Sequence, residues 1–142
     1  VEKGSGAVTL QGSSGTNMMF AGSGGNTLIG GASADYLFGG AGNDTFMAGA
    51  GKNFMEATGG ADTFVLSAQD IAQDIVNAFR AGIDHLHLLD ANGQAMTATA
   101  LQQVIAAATS DTAGNAVLHI GAAHDATLNG VATNQLTIGM FN

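Results

Sequence analysis

The sequence has no cysteine and very few basic residues, and both absences narrow the range of functions. Without cysteine the fold has no disulfide, so a chain that works outside the cell needs another stabilising element, and bound metal is the obvious candidate. Lys3, Lys52 and Arg80 are the only basic residues, and the formal net charge is −8. Nucleic acid and anionic lipid are therefore poor partners, because both require clustered Lys and Arg.

Long apolar runs and familiar catalytic motifs are also missing. No stretch approaches the roughly 20 apolar residues of a membrane span, and no N-terminal signal peptide is visible. The sequence contains no H-E-x-x-H zinc motif, no G-x-S-x-G nucleophile motif and no cysteine nucleophile. It therefore predicts a protein that is not an enzyme. The chain starts at Val1 rather than Met, as a cut fragment or a processed product would.

The strongest feature that is present is a nine-residue repeat. Seven consecutive units run from Lys3 to Val65 without an insertion, and they hold sixteen of the 22 glycines. The eighth position of every unit is large and apolar, and the sixth is Asn or Asp in all units but the first. The eighth positions are Leu10, Met19, Leu28, Leu37, Phe46, Met55 and Phe64, and the sixth positions are Val8, Asn17, Asn26, Asp35, Asp44, Asn53 and Asp62.

A fixed nine-residue period of this kind predicts a coiled sheet. The first six residues of a unit form a turn, and the last three form a short strand whose middle residue points inward. Two units complete one coil of 18 residues, so alternate units stack about 4.8 Å apart. We call the turns of the units that start at 3, 21, 39 and 57 the first turn stack, and those at 12, 30 and 48 the second turn stack. The predicted fold class is all-β, a right-handed parallel β-roll.

Stacked turns are expected to bind Ca²⁺, because they bring together backbone carbonyl oxygens and sixth-position side chains. Asp44 and Asp62 are the only stacked pair with two carboxylates, so they should form the best site. Weaker sites are expected around Asp35 and Asn26, with the stacked Asn17 and Asn53. Stacked Asn side chains that bond to one another without metal are the alternative. The glycines expected to shape the best site are Gly39, Gly40, Gly42, Gly59 and Gly60.

Strand positions seven and nine of the second stack should face outward, and they are unusually apolar for a surface. Three coverings are open: the C-terminal segment folds back over this face, another copy or a partner docks there, or the face stays exposed. We call this set the apolar face; its residues are Met18, Phe20, Tyr36, Phe38 and Phe54.

Residues 66–142 carry no repeat and are predicted to form a mixed β cap with one short helix. A strand is expected over 85–89, a helix capped by Thr97 or Thr99, and closing strands over 116–120, 126–131 and 135–141. Asp84 and Asp90 are candidate ligands for a further calcium ion at the junction, or else turn residues. A transition-metal site at His85, His87 and His119 is conceivable, although half-exposed strand histidines are the simpler interpretation.

The unit from Gly39 to Met47 follows the pattern G-G-x-G-x-D-x-U-x, where U is a large apolar residue, and so resembles the repeat of RTX proteins. The segments 62–65, 74–79, 82–88 and 126–131 look like those that follow the repeats in serralysin-type peptidases and alginate epimerase modules. The resemblance implies Ca²⁺ binding, export by type I secretion machinery through a signal near the C-terminus, and folding on external calcium. It departs from the pattern in that four of the seven sixth positions are Asn or Val.

The sequence therefore predicts a non-catalytic, calcium-binding β-roll over residues 3–65, followed by a capping and secretion-signal region over 66–142. The protein is expected to be secreted and bacterial, outside the cell or on its surface, as a structural, display or attachment module. Two alternatives are a self-assembling surface-layer, biofilm-matrix or filament subunit joined through the apolar face, and the accessory tail of a secreted hydrolase or epimerase.

Overall fold

The computed structural model of the protein describes residues 4–142, so Lys3, where the first predicted unit begins, lies outside the described residues. Each repeat unit contributes one short strand, because three to five residues with an inward-facing apolar centre separate the glycine turns. The strands of the repeats are β1 Thr9–Gln11, β2 Met18–Phe20, β3 Thr27–Gly31, β4 Tyr36–Phe38, β5 Thr45–Gly49, β6 Phe54–Glu56 and β7 Thr63–Ser67.

Within the repeats the strands wind into two parallel sheets with a constant register of 18 residues. One sheet has the order β1-β3-β5-β7 and continues to β9, His85–Leu89; in it Thr9, Thr27, Thr45 and Thr63 are aligned. The other begins β2-β4-β6 and continues to β8, Ala72–Asn77. The predicted parallel β-roll with 18 residues per coil is confirmed.

The inward side chains of the two sheets form one core. Six of the seven eighth-position residues are buried, Met19 at 7% exposure and the others at 0%, and Leu10 of the first coil packs against them. The rings of Phe46 and Phe64 stack with centroids 4.8 Å apart, one coil separating them. Leu86, Leu118 and Leu128 extend the same core into the C-terminal part.

The C-terminal part closes the second sheet with antiparallel strands and one helix. Helix α1, Ala98–Ala107, begins where predicted, with the Thr97 hydroxyl accepting a hydrogen bond from the Ala100 N–H at 3.3 Å. No helix among residues 4–142 has the length and hydropathy that crossing a bilayer requires. The remaining strands are β10 Thr109–Ser110, β11 Ala116–Ile120 and β12 His124–Leu128.

Two predicted strands in this part are wrong, one in its extent and one in its conformation. The strand expected over 126–131 is β12, which ends at Leu128 because the chain turns through Gly130 at φ +83°. The strand expected over 135–141 is replaced by two 3₁₀ turns, Thr133–Gln135 and Ile138–Met140. The buried residues there are Leu136, Met140 and Phe141, and their spacing does not follow the alternation that a strand needs.

The apolar face is on the outside of the second sheet, and the C-terminal segment does not fold over it. Met18 is 62% exposed, Phe20 36% and Tyr36 44%. The cap lies at the far end of the sheet, where β12 pairs with β8 and α1 packs against β11. Of the three predicted coverings, the one by the C-terminal segment is wrong.

Candidate metal centre

The sixth-position side chains point into the roll and form a hydrogen-bonded ladder along each turn stack. From the second coil of the roll onward, each side-chain Oδ1 accepts the backbone N–H of the sixth-position residue one coil earlier. The distances are 3.1 Å from Val8 to Asn26, 2.7 Å from Asn26 to Asp44 and 2.7 Å from Asp44 to Asp62 in the first stack, and 2.7 Å from Asn17 to Asp35 and 2.9 Å from Asp35 to Asn53 in the second. Asn and Asp are therefore equally good at holding the register of the coils.

The second carboxylate oxygen of each aspartate in the ladder has a different environment. The Oδ2 atoms of Asp35, Asp44 and Asp62 are buried and have no hydrogen-bond partner among the described residues. All three side chains are 0–1% exposed. A buried carboxylate oxygen without a partner is costly, because it has lost its water and gained nothing. The Arg80 guanidinium lies 3.6 Å from Asp62 Oδ2, whereas the turns of Asp35 and Asp44 have no such neighbour within residues 4–142, which indicates that a group absent from the polypeptide completes those two turns.

The turns that carry asparagine are complete without such a group. Asn26 Oδ1 is committed to the ladder, so its amide nitrogen faces the turn and donates to Gly24 O at 2.5 Å and to Asp44 Oδ1 at 3.0 Å. Asn17 makes the same pair of bonds, to Gly15 O at 2.5 Å and Asp35 Oδ1 at 2.9 Å. Asn53 does so with Gly49 O at 3.1 Å and Asp74 Oδ1 at 2.9 Å. Each amide nitrogen stands between a turn carbonyl and the acidic group of the next coil.

The turns of Asp35 and Asp44 lack this nitrogen. No side-chain nitrogen of the described residues hydrogen-bonds to the carbonyls of these two turns, and a carboxylate faces them instead. Because no three Asp, Glu or His side chains converge within residues 4–142, most ligands of a bound ion would be backbone carbonyls. Oxygen-only donors with one or two carboxylates suit calcium, which prefers six to eight oxygen ligands. The residues present therefore fit a calcium ion.

The pKa values of Asp44 and Asp62 indicate the same need for positive charge. Burial raises the pKa of Asp44, although hydrogen bonds from Asn26 oppose the change. Burial raises the pKa of Asp62 to about 6, and the negative charges of Asp84 and Asp44 add to the effect against the hydrogen bond from the Asp44 N–H and the charge of Arg80. A bound divalent cation would favour the ionised forms of both groups.

The glycines named from the sequence make the tight turns. Gly40 and Gly60 have φ values of +94° and +82°, which favour glycine. A Cβ atom on Gly42 would lie 2.0 Å from Gly24 O, and one on Gly39 would lie 2.5 Å from Asp44 Oδ2. A Cβ on Gly59 would lie 3.2 Å from Ala41 Cα, so this position is close but less restricted.

Two other predicted groupings are not brought together. Asp84 is buried beside Asp62, whereas Asp90 lies beyond the other end of β9 and accepts the N–H groups of Asn92 and Gln94 at 2.8 and 3.0 Å in an exposed turn. His85 and His87 lie on the first sheet. His119 is on the second sheet, where it bonds to Thr109 at 2.9 Å and Asp125 at 2.7 Å.

Sequence reasoning missed that both ladders continue beyond the repeats. Asp84 Oδ1 accepts the Asp62 N–H at 3.0 Å, 22 residues on, and Asp74 Oδ1 accepts a bond from the side-chain amide nitrogen of Asn53, at a separation of 21 residues. The longer spacings break the nine-residue count. The detectable signal was an aspartate two residues before a buried apolar residue, as in Asp62-Thr63-Phe64; it recurs in Asp74-Ile75-Val76 and Asp84-His85-Leu86.

Comparisons with known proteins agree with this geometry. The family model of the RTX calcium-binding nonapeptide repeat (4 copies) matches residues 4–28, 20–55 and 29–64. The fold is similar to that in the crystal structure of the extracellular lipase LipA from Serratia marcescens, with a TM-score of 0.72 and 24% sequence identity. That similarity covers 94% of this chain but 20% of the lipase chain, so this chain spans about a fifth of its length. None of the curated protein sequences matches the chain.

Proposed function

Because residues 4–64 consist of RTX calcium-binding nonapeptide repeats, we propose that the chain is a non-catalytic calcium-binding β-roll module of a secreted bacterial protein. Its role is structural: the folded roll displays or attaches whatever it is joined to outside the cell. The single observation that carries the proposal is the set of buried, unpartnered carboxylate oxygens on Asp35, Asp44 and Asp62. They lie in the turns that the repeat pattern assigns to calcium.

We assign the strongest calcium site to the turns of Asp44 and Asp62, and a weaker one to the turn of Asp35. The first has two carboxylates one coil apart, and the second pairs Asp35 with the neutral Asn53. Fewer carboxylates should give weaker binding, since ligand charge tunes calcium affinity. Asn17 and Asn26 serve mainly as ladder members, because their amide nitrogens already satisfy the turn carbonyls.

Isothermal titration with calcium chloride tests the assignment. The variants Asp44→Asn and Asp35→Asn keep the ladder acceptor but lose the charge, and Asp90→Asn is the matched control, because Asp90 lies in an exposed turn outside both stacks. We expect Asp44→Asn to remove the tightest binding event, Asp35→Asn a weaker one, and Asp90→Asn neither. Unchanged titrations for both ladder variants would refute the metal assignment.

The same chemistry suggests how the module is exported and folded. In the calcium-poor cytosol the repeats keep their uncompensated carboxylates and fold poorly, whereas millimolar calcium outside stabilises the folded form by mass action. We propose that residues 66–142 cap the roll and carry a signal for type I secretion machinery. Co-expression with a type I exporter should deliver the chain to the medium, and loss of the last residues should retain it in the cell. Equal export with and without them would contradict the signal.

A second candidate function is self-assembly through the apolar face. The exposure of Met18, Phe20 and Tyr36 supports it, and a second copy suits the face because Glu56 is the only charged group among its aligned strand positions. Light scattering during calcium addition distinguishes the two functions. Growth of particles that Tyr36→Lys prevents would favour assembly, and a lasting monomer would favour the display module. A catalytic domain encoded beside this chain would instead make it the accessory tail of a secreted hydrolase or epimerase.

A further inference from the structure

The last pair of turns in the first stack contains a positively charged side chain. Here Asp62 stacks on Asp84, and the guanidinium of Arg80 lies between them. Arg80 Nη2 donates to Asp84 Oδ1 at 2.8 Å, and Nε donates to Asp84 Oδ2 at 3.1 Å. Nη2 also donates to the carbonyl of Gly60 and lies 3.6 Å from Asp62 Oδ2. One guanidinium therefore contacts both carboxylates and a turn carbonyl.

These contacts correspond to those that a calcium ion would make in the Asp44 turn, one coil earlier. Gly60 holds the fourth position of its unit, as Gly42 does in the unit of Asp44 and Gly24 in that of Asn26. In the Asn26 turn the amide nitrogen donates to that fourth-position carbonyl and to the next acidic side chain. Asp62 Oδ2 is buried without a hydrogen-bond partner, and the Arg80 guanidinium, 3.6 Å away, supplies the positive charge that this oxygen needs.

Given the calcium binding proposed at the Asp44 turn, on which this inference rests, we propose that Arg80 is a built-in substitute for calcium between Asp62 and Asp84. Its guanidinium keeps this pair of turns closed to metal. Its removal would open an additional calcium site made of the two carboxylates and the Gly60 carbonyl.

The second stack ends in a comparable way, which supports the inference independently. Asp74 closes that ladder, and His124 Nε2 lies 2.9 Å from Asp74 Oδ2 while His124 Nδ1 lies 2.8 Å from Ser67 O. Both side chains of this pair are 1% exposed. Each ladder thus ends on a buried carboxylate that a basic side chain from beyond the repeats contacts directly.

The charge of Arg80 is permanent, which distinguishes it from a bound ion. The hydrogen bond to Asp84 holds the pKa of Arg80 above its ordinary value; burial opposes this rise, and the nearby charges of Asp84 and Asp62 add to it. Calcium occupancy follows its concentration, whereas the guanidinium is present whenever the chain is folded. The junction between the repeats and the cap is therefore held without calcium.

The number of calcium ions bound per chain tests this inference. We expect Arg80→Gln and Arg80→Ala to bind one more calcium than the wild type in titration calorimetry, and Arg80→Lys, which keeps a cation there, to bind the wild-type number. In the double variant Arg80→Gln/Asp84→Asn the extra ion should be lost. Folded Arg80→Gln and Arg80→Ala with the wild-type number of ions would overturn the inference, as would an extra ion that survives in the double variant.

The single variant Asp84→Asn gives a test that does not depend on the Arg80 variants folding. Asparagine keeps the Oδ1 acceptor for the Asp62 N–H, and the wild-type number of ions should remain, because this pair of turns holds no metal in the wild type. Loss of one ion would overturn the inference while leaving the calcium function intact. A wild-type chain that binds no calcium at all would instead refute the proposed function.

Discussion

Replacing Asp44 with asparagine should change the stability of the protein in opposite directions with and without calcium. In calcium-free protein, Asp44 has a buried oxygen without a partner and faces the like charge of Asp62. In the Asp44→Asn variant the new side chain would keep the ladder bond to the Asn26 N–H, and its amide nitrogen would reach the carbonyls of its own turn, as the Asn26 amide already does. The chain itself thus contains the arrangement that the variant should adopt.

The size of the effect follows from the groups involved. Removing one buried unsatisfied polar group is worth about 1–3 kcal/mol, so we expect a stabilisation of about 2 kcal/mol in chelator. At a calcium concentration 100 times the dissociation constant, the wild type gains about 2.7 kcal/mol that the variant forgoes. The variant should therefore be the more stable protein in chelator and the less stable one in excess calcium.

Thermal unfolding followed by circular dichroism measures this reversal. For a chain of this size, 1 kcal/mol corresponds to about 2–4 °C in Tm, so the variant should melt about 4–8 °C above the wild type in chelator. Asp90→Asn is the control and should show no reversal, because Asp90 is outside the ladders. A variant that is less stable than the wild type in chelator, or that gains as much from calcium, would refute the reasoning.

Three further predictions concern pH and the core. In chelator, the pKa of Asp62 is raised to about 6, so the folded form binds the proton more tightly than the unfolded chain does. The free energy of unfolding should therefore fall by about 3 kcal/mol as the pH rises from 4 to above 6. Asp62→Asn should abolish this fall in urea titrations at a series of pH values. In excess calcium, burial lowers the pKa of His124, but its bonds to Asp74 and Ser67 and the charges of Asp74 and Asp70 raise that pKa overall. Stability should therefore decline as the pH rises past the ordinary histidine value. A flat profile for the wild type, matching that of His124→Gln, would contradict this prediction. Phe46→Ala should cost about 3–5 kcal/mol by urea unfolding, since the ring is fully buried against Phe64, while Met47→Ala, at an exposed position, should change little.

The repeat region was predictable because the nine-residue period determines how the chain winds. An apolar residue at every eighth position, with glycine in the turns, leaves one winding in which all these side chains share a core. The strands therefore appeared at the predicted places, and the outward position of Met18 and Tyr36 followed from alternation. The end of the chain was harder to predict, because a strand or a pair of 3₁₀ turns could equally bury the apolar side chains of Leu136, Met140 and Phe141. Only the packing decides between the two conformations.

The candidate site was predictable to the level of residue type but not of hydrogen bonding. The sixth positions were identifiable as the polar groups of the turns. Whether a side-chain nitrogen hydrogen-bonds to the carbonyls of a turn depends on the orientation of the amide there. This orientation is fixed by the ladder bond to the neighbouring coil. The parts played by Arg80 and His124 depend on contacts with residues of another coil or strand, so no local pattern shows them.

The space between the turn carbonyls and the side chain of the next coil is thus filled in three ways along the same roll. An amide nitrogen takes it at Asn17, Asn26 and Asn53, a guanidinium takes it between Asp62 and Asp84, and at Asp35 and Asp44 the polypeptide supplies only oxygen. Nitrogen donors are permanent, whereas a metal comes and goes with its concentration. The turns served by nitrogen hold their coils in register at any calcium level. On the proposed function, external calcium therefore controls the stability of the coils of Asp35 and Asp44, in the middle of the roll.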